Sequence, residues 1–195
     1  MQNLLSRFGT SFYIDLPFGP VGWVGWLVLL AVYALALWRN WEALQVRRIP
    51  RVAYFAFLFV LSVPAALAAG IRLPAQATLP YMPVELEPPA VMFLAALPWV
   101  LASGGLGRIS ASLLGLWSGV WLALSETHSP FTPLLIGILA LAFAASVRQM
   151  YRTPFYRALR HPLVAALVLS APFAALVIVA SFFEVNGGLA VRLDY

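Results

Sequence analysis

Six apolar runs divide the chain, and the short stretches between them hold nearly all of its charge. Val21–Trp38, Val52–Ala69, Ala90–Leu106, Ser110–Leu124, Phe131–Val147 and Leu163–Phe183 have no charged residue in their interiors. A helix that crosses a hydrocarbon core needs roughly 20 mostly apolar residues, with about 17 as the lower limit. The first, second and last runs clear that limit, Ala90–Leu106 and Phe131–Val147 just reach it and Ser110–Leu124 falls short; Ala90–Leu106 and Ser110–Leu124 are rich in glycine. The pattern predicts an all-α, polytopic transmembrane helix bundle of about six spans, forming one domain over residues 1–195. The two shortest segments, Ser110–Leu124 and Leu134–Val147 without its borrowed Phe131–Pro133, also suit a re-entrant hairpin. Composition agrees: 63% of the 195 residues are hydrophobic and 10% charged, with a mean hydropathy of +0.90. That leaves too little polar surface to cover a soluble core.

Charge placement sets the expected orientation. The loops after the first, third and fifth runs hold Arg39, Arg47, Arg48, Arg51, Arg108, Arg148, Arg152, Arg157 and Arg160, with Glu42 their one acid. The other side holds Arg7, Arg72 and Arg192 against Asp15, Glu85, Glu87, Glu126, Glu184 and Asp194. Nine arginines against three is a positive-inside bias, so the first set is expected in the cytoplasm and both termini outside it. The expected location is the plasma (inner) membrane, and the first partner is the lipid bilayer. Trp23 and Trp26 near one end of the first run, and Trp38 and Trp41 near the other, fit aromatic anchors at headgroup level. Arg148–His161 is expected to lie along the interface, its arginines facing anionic lipid. The N-terminal residues lack the basic region and adjoining apolar core of a cleaved signal peptide.

Other signals are local. Pro74, Pro80, Pro83, Pro88 and Pro89 predict a stiff, extended strap between the second and third spans. Pro64, Pro98 and Pro172 fall inside spans and are expected to kink them. Gly115-Leu116-Trp117-Ser118-Gly119 is a G-x-x-x-G match, suited to close packing inside the bundle or to a homodimer seam. Gly104, Gly105 and Gly107 suit a tight turn between the third and fourth spans.

The densest chemistry is Ser125-Glu126-Thr127-His128-Ser129-Pro130-Phe131-Thr132-Pro133. On a continuing helix Trp117, Trp121, Ser125 and His128 fall near one face. The strap, on the same side of the membrane, adds Arg72 and Glu85. Together Glu126, His128, Trp121, Trp117, Ser125, Arg72 and Glu85 suit a shallow pocket for a small-molecule ligand. The plainer alternative is a polar helix end whose Ser-Pro and Thr-Pro pairs supply turn chemistry. His128 and His161 are expected on opposite faces of the membrane, about 30 Å apart, too far to share a metal or haem. The chain has no cysteine, no acid, lysine or histidine within a span, and no P-loop, Rossmann, HExxH or kinase signature. No catalytic residue, metal or cofactor is expected, and no nucleic acid, since no basic face joins aromatics outside the bilayer.

Leu97-Pro98-Trp99, Gly105–Gly119, Thr127–Pro133 and Arg157-Ala158-Leu159-Arg160-His161-Pro162 give Leu94–Leu167 a likeness. It resembles the polytopic N-terminal membrane domains of bacterial signalling proteins, sensor histidine kinases among them. The glycine-rich turn leading to a small-residue helix is also similar to substrate-binding membrane subunits of energy-coupling-factor transporters. The resemblance implies a sensory or input module that detects a small ligand or membrane state, and carries over no functional residue. A C-terminus outside the cytoplasm departs from a kinase and would need a further span; Gly188–Tyr195 looks able to continue into one. A solute-binding transporter subunit and an accessory structural subunit of a larger membrane complex are the alternatives.

Overall fold

The computed structural model describes residues 13–17, 19–40, 49–67, 71–72, 90–150 and 153–184. Among these residues lie seven α-helices, all but α6 on the apolar runs: α1 Gly19–Arg39, α2 Ile49–Leu67, α3 Leu97–Gly105, α4 Arg108–Leu122, α5 Thr132–Val147, α6 Pro154–Ala158 and α7 Pro162–Glu184. A 3-10 turn over Phe93–Ala96 leads into α3, and a π-helical turn over Ala123–Thr127 extends α4. Two residues, Ile71–Arg72 (β1), pair antiparallel with Ala90–Val91 (β2), Ile71 opposite Val91. This ladder joins the two ends of the strap, whose residues 73–89 lie outside the described chain. Apart from this pair every regular element described is helical, as expected.

Among the described residues three helical stretches are long and apolar enough to cross a membrane: Gly19–Arg39, Arg108–Thr127 and Pro162–Phe183. Arg51–Leu67, Leu94–Gly105 and Thr132–Val147 are apolar but shorter. The third run differs most from its expectation, because residues 90–92 are spent on the ladder and the approach to the 3-10 turn. The helices of α2 and α7 run on through Pro64 and Pro172.

Periodicity explains how α1 docks. Gly22, Gly25, Leu29 and Tyr33 are its buried residues, spaced three, four and four apart, which is one stripe of a helix. A Cβ on Gly25 would lie 2.4 Å from Phe183 Cγ of α7, and one on Gly137 of α5 would lie 3.0 Å from the Tyr33 ring. Glycine at these places is what lets the helices approach. α4 and α5 form the most intimate pair, antiparallel, with α2 and α3 packed on α4 and α1 and α7 packed on α5.

The G-x-x-x-G motif of α4 is spent within the chain. A Cβ on Gly115 would lie 2.5 Å from Ala140 Cβ, and one on Gly119 would lie 2.8 Å from Pro133 Cα. Around this seam the buried face of α4 is small and hydroxylated: Ser110, Ala111, Ser112, Leu114, Gly115, Ser118 and Gly119. Ser112 Oγ donates to the Gly137 carbonyl at 2.9 Å and lies 3.1 Å from Tyr33 Oη. Ser118 Oγ donates to Ala95 O at 2.8 Å. By contrast α7 exposes Leu163, Leu167, Val168, Val177, Ile178, Val179 and Phe182. Small polar residues inside and branched apolar residues outside are the reverse of a soluble protein. Lipid tails are as apolar as leucine, so helices there associate through close packing and interhelical hydrogen bonds instead. The chain is a helical membrane protein.

Candidate functional site

The turn between α4 and α5 is built by its own hydroxyls. Phe131 N donates to Ser129 Oγ at 3.1 Å, and Thr127 and Thr132 share a 2.8 Å hydroxyl contact. Thr132 N reaches Ser129 O at 3.3 Å, and Pro133 occupies the first turn of α5, where its missing N–H costs nothing. The turn is anchored from beneath by Phe131, 1% exposed and packed with Leu29, Tyr33, Leu134 and Leu135.

The helix does not continue through His128, as the shared face with the tryptophans would require. It widens to the π form, His128 N donating to Ala123 O at 2.9 Å. It then stops at His128, whose φ of 52° and ψ of 9° are left-handed. His128 is the only non-glycine residue with positive φ among those described. Such a conformation costs about 1–2 kcal/mol and persists only where the surroundings hold it.

What holds it comes from far away in sequence. Asp15 N donates to His128 O at 2.8 Å, and His128 Nδ1 lies 3.0 Å from Tyr13 O. A carbonyl can only accept, so Nδ1 carries the hydrogen and, in the neutral ring, Nε2 is left as an acceptor. The Tyr13 ring covers the imidazole. On α1, Trp26 Nε1 donates to Pro130 O at 3.0 Å. Three segments therefore meet at this turn.

The tryptophans face a different neighbour. Trp117 stacks on Phe59 of α2 at 4.4 Å and donates its indole N–H to Phe59 O at 3.2 Å. Pro64 supplies no N–H to this stretch of α2, and proline bends a helix and loosens the carbonyls of the preceding turn. Trp121 meets Trp117 edge-on at 5.6 Å. Its Nε1 is buried and has no hydrogen-bond partner among the described residues. Ser125 Oγ donates to Trp121 O at 2.8 Å, which turns the hydroxyl back along its own helix rather than toward the imidazole. Glu126 is half-buried in the π turn.

Of the seven residues expected at the site, Trp117, Trp121, Ser125, Glu126 and His128 thus lie within one twelve-residue stretch. The tryptophans line its α2 side and His128 the side of the N-terminal segment. Arg72 is fixed by its backbone opposite Ala90 at the base of the strap. Glu85 lies outside the described residues. Sequence reading missed Tyr13, Asp15 and Phe59 as neighbours, and it placed Trp26 only as an interface anchor. No single-sequence signal marks these pairings, because 104 positions separate Trp26 from Pro130. The 16 residues of α5, about 24 Å of helix, stand between the turn that carries His128 and the segment that leads to His161. No family model, curated protein or solved structure matches the chain.

Proposed function

We propose that the chain is a membrane-embedded sensory or input module of a bacterial plasma membrane, crossing it about six times with both termini outside the cytoplasm. The nine-to-three division of arginines supports the orientation. Because the chain has no cysteine, Arg152→Cys introduces a unique thiol. It labels from the cytoplasmic side only, while tags at both termini are reached only from outside. Either terminus found inside overturns the six-span map.

One observation carries the sensory reading: the π turn and left-handed His128 at the end of α4, where residues 13–15, α1 and α5 converge. π turns inside α-helices and strained residues concentrate at functional sites. A ligand taking Glu126 and the Nε2 of His128 would compete with the Tyr13 clasp. One residue more or fewer in the π turn re-aims the side chains beyond it by about 100°. A change there passes along α4, which packs on α2, α3 and α5. Arg72 and Glu85 would supply further polar contacts to the ligand.

The test is thermal unfolding of purified protein against amino acids, organic acids, sugars and bilayers of two thicknesses. Wild type should shift with one of these, and Glu126→Gln and His128→Ala, once shown to fold, should not. The reading fails if nothing shifts wild type or if both variants shift alongside it.

A second reading, an accessory subunit of a larger membrane complex, is favoured by α7, only 11% of whose most apolar 18-residue window is buried. That reading requires copurifying chains that protect α7 from a lipid-phase label.

A further inference from the structure

The N-terminus of α4 is as unusual as its C-terminus. Its cap is Gly107, which has φ 123° and no side chain to offer. Backbone bonding within the helix starts with Ala111 N to Gly107 O at 3.0 Å, while Leu106 N and Gly107 N both turn back to Ala102 O. The N–H groups of Arg108, Ile109 and Ser110 therefore have no acceptor among the described residues. Yet Ile109 is 2% exposed and Ser110 4%. A buried helix end left without partners calls for one.

Ser110 supplies a second, independent sign. Five serines are buried, and four have bonded hydroxyls: Ser62 to Leu58 O, Ser103 to Val100 O, Ser112 to Gly137 O and Ser118 to Ala95 O. The Ser110 hydroxyl alone has no partner among the described residues. Helical Cα–Cβ bonds tilt toward the N-terminus, so this hydroxyl leans to the same end as the free N–H groups.

Two guanidinium groups flank the end. Arg108 opens the helix, and its Nη1 reaches Asn40 Oδ1 at 3.4 Å. Arg148 arrives from the antiparallel α5, its Nη1 reaching Ser103 O at 3.4 Å. Each commits one of its five donors to a neutral oxygen and keeps the rest. Asp15 and Glu126 sit at the opposite end of α4, where Asp15 is bonded to His128.

We propose that this end of α4 binds a phosphate group through the Arg108, Ile109 and Ser110 N–H groups, the Ser110 hydroxyl and the guanidinium groups of Arg108 and Arg148. Aligned peptide dipoles and free N–H groups make a helix N-terminus attractive to anions. Backbone N–H groups, a hydroxyl and two guanidinium groups at one helix end suit a phosphate better than the two oxygens of a carboxylate. A lipid headgroup and a soluble phosphate offer the same chemistry. The site stands apart from the sensory reading; only its lipid source rests on the proposed orientation, which puts this end at the cytoplasmic headgroups.

The test uses the full chain in phosphatidylcholine nanodiscs, read by thermal midpoint, with inorganic phosphate added or with phosphatidic acid in the bilayer. Stabilisation by inorganic phosphate supports the site with a soluble ligand, and stabilisation by phosphatidic acid alone supports it with a headgroup. Ser110→Ala and Arg148→Gln should each raise the half-saturating concentration, about tenfold for loss of a charge-assisted hydrogen bond. Arg157→Gln, at an exposed arginine of α6, should leave it unchanged. The proposal is overturned if neither probe stabilises wild type, if chloride at equal ionic strength does as much, or if Arg157→Gln weakens the response as much as Arg148→Gln. Glu126 and His128 enter none of these measurements, so failure here leaves the sensory reading standing.

Discussion

The imidazole of His128 lies flat on the ring of Tyr13, centroids 4.1 Å apart and planes 1° from parallel. The same pair is joined from His128 Nδ1 to the Tyr13 carbonyl, across 115 positions of sequence. Stack and hydrogen bond hold the segment before α1 against the far end of α4.

Removing the ring should free that segment. The stack and the hydrogen bond together contribute about 1–2 kcal/mol, and the Asp15 N to His128 O bond survives substitution. A cysteine at Ile14 should react with maleimide several-fold faster in His128→Asn than in wild type. It should react faster still in His128→Val, because asparagine tolerates the left-handed backbone and valine does not. Equal rates in all three proteins would show that the clasp holds nothing.

The glycine seam predicts a graded loss. Gly115→Ala places a Cβ 2.5 Å from Ala140 Cβ and 2.9 Å from Ile136 O, and overpacking of this kind costs about 1–3 kcal/mol. Gly115→Leu and Gly119→Leu should lower the midpoint in detergent further. Gly104→Ala, in exposed helix with nothing within 4 Å, should raise stability by about 1 kcal/mol. Wild-type melting of both leucine variants would place the seam toward lipid.

Ser112 ties α4 to α1 and α5 at once. Ser112→Ala and Tyr33→Phe should each cost about 0.6–1.7 kcal/mol, the range for hydrogen bonds between membrane helices. The double variant should lose less than the sum of the two. Additive losses in a double-mutant cycle would mean that the 3.1 Å contact between the hydroxyls contributes no coupling.

The two tryptophans should respond differently to the same change. Trp117→Phe keeps an aromatic ring on Phe59 but loses a hydrogen bond, about 1 kcal/mol. Trp121→Phe removes an N–H that is buried and has no acceptor among the described residues, which offsets part of the lost packing. Denaturant midpoints should fall further for Trp117→Phe, and the reverse order would assign Trp121 an acceptor.

The fold was legible in sequence where local chemistry decides it. Apolar length located the helices, Gly104–Gly107 the turn between α3 and α4, and the Ser-Pro and Thr-Pro pairs the α4–α5 turn. The start of α3 was not legible, because Ala90–Val91 is as apolar as a helix and its pairing with Ile71–Arg72 is non-local. Around the candidate site, helical periodicity put Trp117 and Trp121 on one face, where their rings meet edge-on, and did not carry through the π turn to His128. A π turn adds one residue to a turn, and nothing in Ala123–Thr127 announces it. Partners such as Tyr13 and Phe59 depend on which helices meet, and the apolar pattern is silent about that.

The glycine seam also bears on how the chain enters a bilayer. α5 has 16 residues, about 24 Å of helix against a hydrocarbon thickness of about 30 Å. Alone it would leave its ends under-reached, whereas Arg108–Thr127 is long enough to partition by itself. Under the proposed six-span reading the unit of insertion is the α4–α5 hairpin, its halves meeting at backbone distance through Gly115, Gly119 and Gly137. A ribosome adding about 5–20 residues per second delivers α5 some one to four seconds after α4. On that reading the pair can close before α7, which follows it in the chain, leaves the ribosome.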